Sequence, residues 1–310
     1  SIAPTMTKHY YSVFICILFF IGLSNAQTPC ENGLAGGYPC EDLDLMSFIP
    51  LSSMNATSGN DSWGWTDPLD GNEYAIMGLN NGTAFINITD PVNPQLLAVV
   101  RSHNNSSSSW RDVKTYNNHA FIVSEAAGHG MQVFDMTRLR TMTSPAYVNP
   151  DARLGTFGDA HNIVINEETG FAYVVGAPAQ YSAGPYFIDI SDPLNPTPVG
   201  GFSGDGYTHD AQVVTYTGPD SDYTGREILI AANETDVTLV DVTNKSNPVQ
   251  ISTISYPNYT YTHQGWFTED QRYFLLGDEQ DETAIGFNTK TVIFDLVDLD
   301  NPVIHFNYYG

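Results

Sequence analysis

Three histidines each open an apolar run of strand length: His161 in AHNIVI, His209 in THDAQVV and His263 in THQGWF. Carboxylates close neighbouring runs: Glu125 in VSEAAG, Glu234 in AANETD, and Asp278 with Glu279 in LGDEQDE. Imidazole suits Zn, Cu, Fe and Ni, and carboxylate suits Ca and Mn, so convergence of these groups would make a divalent-metal site holding Ca, Zn or Mn. His129 and Asp210 are the next groups expected to join. The same side chains can instead hydrogen-bond backbone and tie one structural repeat to the next. Residue types alone leave both readings open. The chain has no GxSxG, HExxH or P-loop, and Asp67 and Asp70 in TDPLDGNEY do not meet the EF-hand spacing.

What would bring these groups together is a repeat. GTAFINITDPVNPQLLAVV, GPYFIDISDPLNPTPVGGF, DVTLVDVTNKSNPVQISTI and KTVIFDLVDLDNPVIHFNY share one plan: an apolar run, a polar turn closed by Asn-Pro, and a second apolar run. The closing prolines Pro94, Pro196, Pro248 and Pro302 are spaced by 102, 52 and 54 residues. The period is therefore about fifty residues, with one blurred copy at MQVFDMTRLRTM, residues 131–142. Self-similarity at roughly 40–50 residues signals propeller blades. Strand-sized runs bounded by Gly, Pro, Asn and Asp, with no long 3.6-residue stripe after residue 27, predict an all-β chain.

Five four-stranded blades are in view, at about 60–100, 110–144, 157–203, 208–256 and 262–308. The chain stops just after an outer strand, so a ring of six or seven blades is expected. Trp110, His161, His209 and His263 start innermost strands. Glu125, Glu234 and Glu279 end the strands paired with them. Antiparallel pairing places both sets on one rim of the central channel, and the Asn-Pro turns fall at the opposite end.

Residues 1–26 read as a secretory signal, with Met6 the initiator and residues 1–5 a leader. Lys8 and His9 give the basic start, VFICILFFIGL the apolar centre, and Ser24-Asn25-Ala26 the cleavage site. Residues 27–59 then form a lead-in, and residues 60–310 the propeller. Cys16 leaves with the signal, and Cys30 and Cys40 remain as an even pair expected to form a disulfide. Nine glycosylation sequons follow, at Asn55, Asn60, Asn81, Asn87, Asn104, Asn105, Asn233, Asn244 and Asn258. With 35 acidic against 11 basic residues, the net charge is −24, a field that repels nucleic acid and anionic membranes.

The opening CENGLAGGYPCEDLDLMSFIPL, the stretch NDSWGWTDPLDGNEYAIMGLNNGTAFINITDPVNP, and the later GDAHNIVIN and YTHDAQVV resemble the choice-of-anchor B family, secreted proteins with LVIVD-type repeats. The likeness covers residues 30–310 and implies a secreted or surface propeller, with no settled activity. Two functions remain from different classes. One is a noncatalytic module binding an extracellular protein, glycan or matrix ligand. The other is a metal-dependent hydrolase or lyase using the His and Glu ring.

Overall fold

A blade forms here because its second strand is apolar on both sides. Glu227–Ala232 is buried at all six positions. Ile228, Ile230 and Ala232 join one core, and Leu229 and Ala231 join the core on the other face. A strand covered on both faces reads as a continuous apolar run, and stacking neighbouring sheets is what covers it.

The computed structural model describes residues 27–309, so the expected signal segment 1–26 lies outside the described residues. Two compact units are present. In residues 27–46, Leu34–Ala35 pairs with Tyr38–Pro39, and a Cys30–Cys40 disulfide closes the loop. Closing so short a loop contributes roughly 2–3 kcal/mol in the chain-entropy model.

The second unit begins at Ser47 and is a β-propeller assembly of five blades. The first blade contains Gly59–Thr66, Glu73–Leu79, Gly82–Asn87 and Gln95–Arg101. The second contains Arg111–Tyr116, His119–Ser124, Met131–Asp135 and Ala152–Leu154. The third contains Asn162–Asn166, Phe171–Val175, Tyr186–Asp189 and Thr197–Gly201, and the fourth Asp210–Thr215, Glu227–Ala232, Val237–Asp241 and Val249–Ile254. The fifth contains Thr262–Phe267, Tyr273–Asp278, Lys290–Asp295 and Val303–Tyr309. Within each blade, sequential strands pair antiparallel.

The second blade departs from its expected extent of 110–144. Its turn is replaced by a 3-10 helix, Met136–Thr141, and its outer strand forms only at Ala152–Leu154. On the way, Ala146–Val148 pairs parallel with Gln95–Arg101 and gives the first blade a fifth strand. Met131–Asp135 is the third strand of its blade, the place the first run of the repeated phrase takes in the others.

The Asn-Pro phrase is self-contained turn chemistry. The carboxylate or amide ending the third strand (Asn87, Asp135, Asp189, Asp241 or Asp295) accepts the amide two residues on in all five blades. Asp90, Asp192 and Asp298 then accept the side-chain amide of the Asn before proline.

Innermost strands of successive blades pack in order, first to fifth, each interface with its own apolar core. Among the described residues, the first and fifth blades make no comparable contact. Ile76, Phe121, Tyr173 and Ile230 hold one register position in blades one to four, pressed on the following blade, and all are 0% exposed. Their counterpart in blade five, Leu275, is 39% exposed.

Candidate functional site

Residues in four of the innermost strands, with Trp110 just before the second blade's, surround one cavity of about 370 Å³, lined by Asn60, Asp61, Trp110, His161, Asn162, His209, Asp210, His263, Gln264 and Glu279. Strand pairing brings the three predicted histidines to one rim. The ring centroids of His161 and His209 are 4.3 Å apart, and those of His209 and His263 are 4.6 Å apart. His209 thus stands in the middle of a row.

The row is held from behind. His161 Nδ1 bonds the Glu125 carboxylate at 2.6 Å. His209 Nδ1 bonds the His263 backbone carbonyl at 3.0 Å, across the interface of blades four and five. A ring whose Nδ1–H is committed this way keeps its Nε2 as an acceptor. Burial, with His161 and His263 as neighbours, pushes His209 down to about 3. Burial also lowers His263, against the pull of Glu279. Both imidazoles are therefore neutral at physiological pH.

Predicted carboxylates sort by environment. Glu279 lines the cavity. Glu125 stands behind His161, and Glu234 accepts from Tyr261 Oη at 3.0 Å. Glu234 also has φ of 69°, unusual for a non-glycine residue, and its backbone bridges to Thr262 of blade five. Asp278 is turned elsewhere. It is 1% exposed, pairs with Lys290 at 3.0 Å and accepts the Thr260 and Tyr261 amides. His129 is also remote, bound between Arg111 and the Gly130 carbonyl. Burial and the Arg111 charge push it down to about 3.

Register assigns Arg111, not Trp110, to the histidine position in the second blade. Trp110 sits one residue earlier, 51% exposed on the rim. Of the residues after the histidine positions, only Asp210 had been read as part of the site. Asp61, Asp112, Asn162, Asp210 and Gln264 occupy one level of the five innermost strands. One polar residue per repeat, immediately after the histidine position, was visible in the sequence. Lys114, from the next level down, pairs with Asp112 at 2.7 Å. Burial pushes Asp112 up to about 6, with Asp61 adding to the rise and Lys114 opposing it. Burial, then the Asp112 charge, pushes Asp210 up to about 7. One level deeper, Trp63, Lys114, Val164, Gln212 and Trp266 line a smaller cavity of about 140 Å³.

The mouth thus combines neutral imidazole acceptors, carboxylates in excess of cations, and an exposed indole. Such a surface stabilises a positive charge. Among the described residues, the His, Asp and Glu trio whose donor atoms all lie within 4.8 Å is Asp220, Asp298 and Asp300, away from this cavity. The histidine row is wider than that.

Fold and site define a β-propeller with a polar, acceptor-rich channel mouth. The solved structures it resembles agree on the fold. A functionally unknown protein from Desulfotomaculum acetoxidans superposes with a TM-score of 0.55 at 14% identity, over 81% of this chain and 70% of that one. The β-propeller domain of Cps50 (Swd1) from Myceliophteria thermophila gives 0.50 at 9%, over 76% and 69%. A hypothetical selenium-binding protein from Sulfolobus tokodaii gives 0.51 at 10%, over 76% and 59%. No protein-family model matches the chain, and no curated protein matches it.

Proposed function

We propose that this chain is a secreted β-propeller binding module of the choice-of-anchor B type, and that its channel mouth receives a positively charged group of an extracellular protein partner. The observation carrying this reading is the cavity in which Asp61, Asp210 and Glu279 meet His161, His209 and His263 under Trp110. An ammonium or guanidinium donates to acceptors spaced about 4–6 Å apart, given donor–acceptor distances of about 2.9 Å. Trp110 adds a cation–π face. The net charge of −24 steers basic partners to the module. The Cys30–Cys40 disulfide is compatible with export, and no helix among the described residues is long and apolar enough to cross a membrane.

A second reading, a divalent metal on His161, His209, His263 and Glu279, is favoured by one observation: two of the rings have Nδ1 fixed by a carboxylate and a carbonyl, as metal-ligating histidines do. That reading would also admit the hydrolase or lyase chemistry. The wide spacing of the row weighs toward the organic cation. Calorimetric titration with agmatine, and separately with zinc, calcium and manganese salts, decides between them. Saturable one-to-one binding of agmatine, unaffected by chelator, supports the module. Binding confined to a metal, with agmatine inert, replaces it with the metal site.

A further inference from the structure

We propose that the channel holds a second site below the level of Asp61, Asp112 and Asp210, and that this site takes a pyranose ring of a neutral saccharide. Its centre is the cavity of about 140 Å³ walled by Trp63, Lys114, Gln212 and Trp266. A cavity of about 150 Å³ can enclose one benzene ring, so a single six-membered ring is the size that fits. The cavity shares Thr115 and Glu167 with a hollow of about 330 Å³ at the turn end, which has room for further sugar units. The site is separate from the mouth and from whatever the mouth binds.

The polar groups around this cavity suit hydroxyls. Gln212 is 8% exposed. Its Oε1 accepts the Phe267 amide at 2.7 Å, and among the described residues its Nε2 donates to nothing. A buried donor without a partner costs free energy, so it marks a place for an acceptor from outside the chain. Thr115 Oγ1 accepts from Trp63 Nε1 at 3.2 Å and keeps its own hydrogen to donate. Glu167, exposed at the outer end, offers carboxylate acceptors. A hydroxyl both donates and accepts, so the hydroxyls around one sugar ring answer all three.

Charge and shape narrow the ligand further. One cation and one carboxylate line the cavity, Lys114 and Glu167, and Lys114 is already paired with Asp112 at 2.7 Å. The wall therefore selects neither sign, whereas carboxylates exceed cations at the mouth. The Lys114 ammonium also lies 4.6 Å from the centre of the Trp63 ring, so that indole is in use. Trp266 is 54% exposed and leaves its indole open to stacking. The C–H face of a pyranose packs on such an indole while its edge reaches the polar groups. A flat aromatic ligand would use Trp266 and leave Gln212 unanswered.

Saturation-transfer NMR and calorimetry with neutral trisaccharides ending in glucose, galactose, mannose or N-acetylglucosamine test this. At least one should bind saturably with a Kd of about 1 mM or tighter. Trp266→Ala and Glu167→Ala should each weaken that binding about tenfold or more. Both residues are exposed, so Tm should stay within a few degrees of the parent. Agmatine binding should be unchanged in both, because neither residue lines the mouth. Should Trp266→Ala not fold, Glu167→Ala alone decides. Sugar binding that survives these substitutions overturns the proposal, and its loss in Trp110→Ala instead would move the sugar to the mouth. Saturable binding of none of the four sugars also overturns it.

Discussion

Two carboxylates at opposite ends of the fourth blade, Glu227 and Asp210, are treated in opposite ways. Glu227, at the turn end, is saturated. Lys245 Nζ lies 2.7 Å from it, Tyr173 Oη donates at 2.6 Å, and Asn166 and Thr169 donate as well. Asp210, at the mouth end, accepts the Ala211 amide at 2.8 Å and otherwise faces Asp112 and Asp61, with the Lys114 charge opposing them. The Glu227 network ties blade three to blade four and has no acceptor to spare. Asp210 lines a cavity and shares the charge of Lys114 with Asp112 and Asp61. Under the proposed function, the less neutralised end is the one that takes the ligand's positive charge.

Breaking the saturated end should have the largest effect on stability. Glu227→Ala leaves Lys245 and the Tyr173 hydroxyl buried without their acceptor and should cost about 3–5 kcal/mol, read by denaturant unfolding. Ligand binding by the surviving folded fraction should be unchanged.

Asp210→Asn should do the reverse. The folded-state value near 7 lies above the ordinary 3.8, so the folded chain holds a proton that the unfolded chain releases. Stability is therefore lost as pH rises from about 4 to about 7. The neutral amide removes that loss and should be more stable than the parent by about 1–3 kcal/mol at pH 8, with the difference vanishing near pH 4. Agmatine affinity should fall by at least tenfold, the loss of one charge-assisted hydrogen bond of about 1.5–3 kcal/mol.

Binding should also weaken on acidification, first through about pH 7 as Asp210 takes a proton and then through about pH 6 as Asp112 does. Each uptake lowers affinity by up to about tenfold per pH unit. His209, held near 3, adds nothing in this range. An agmatine affinity that stays constant or rises on acidification would mean that the mouth carboxylates do not hold the ligand.

The smallest effect belongs to the turns. Asp192→Ala removes the acceptor of the Leu194 and Asn195 amides on an exposed loop. It should cost about 0.5–1.5 kcal/mol and leave binding untouched.

The same contrast explains what could be read from the chain. The turns were legible because each satisfies itself within a few residues, so its chemistry is written locally as Asp or Asn, two spacers and Asn-Pro. The second blade was misjudged where Met136–Thr141 coils in place of that turn and the outer strand is delayed to Ala152. The histidine row was legible from its position in each repeat. The roles of Asp278 and His129 were not, because their partners, Lys290 and Arg111, come from other strands. Sequon Asn233 shows the same limit: it is 7% exposed and donates to Asp205, so the folded chain has no room for a glycan there. The acidic level of Asp61, Asp112 and Asp210 was available as one residue after each histidine position. Its weight came only with burial, which no local pattern encodes.

The most direct test of the central claim is the crystal structure of this chain soaked with agmatine. Density for the guanidinium or ammonium group should appear in the mouth cavity, within hydrogen-bond distance of Asp210 or Asp61 and the imidazole row and against the indole of Trp110. Agmatine bound only outside this cavity, with the carboxylates of the mouth untouched, would contradict the account.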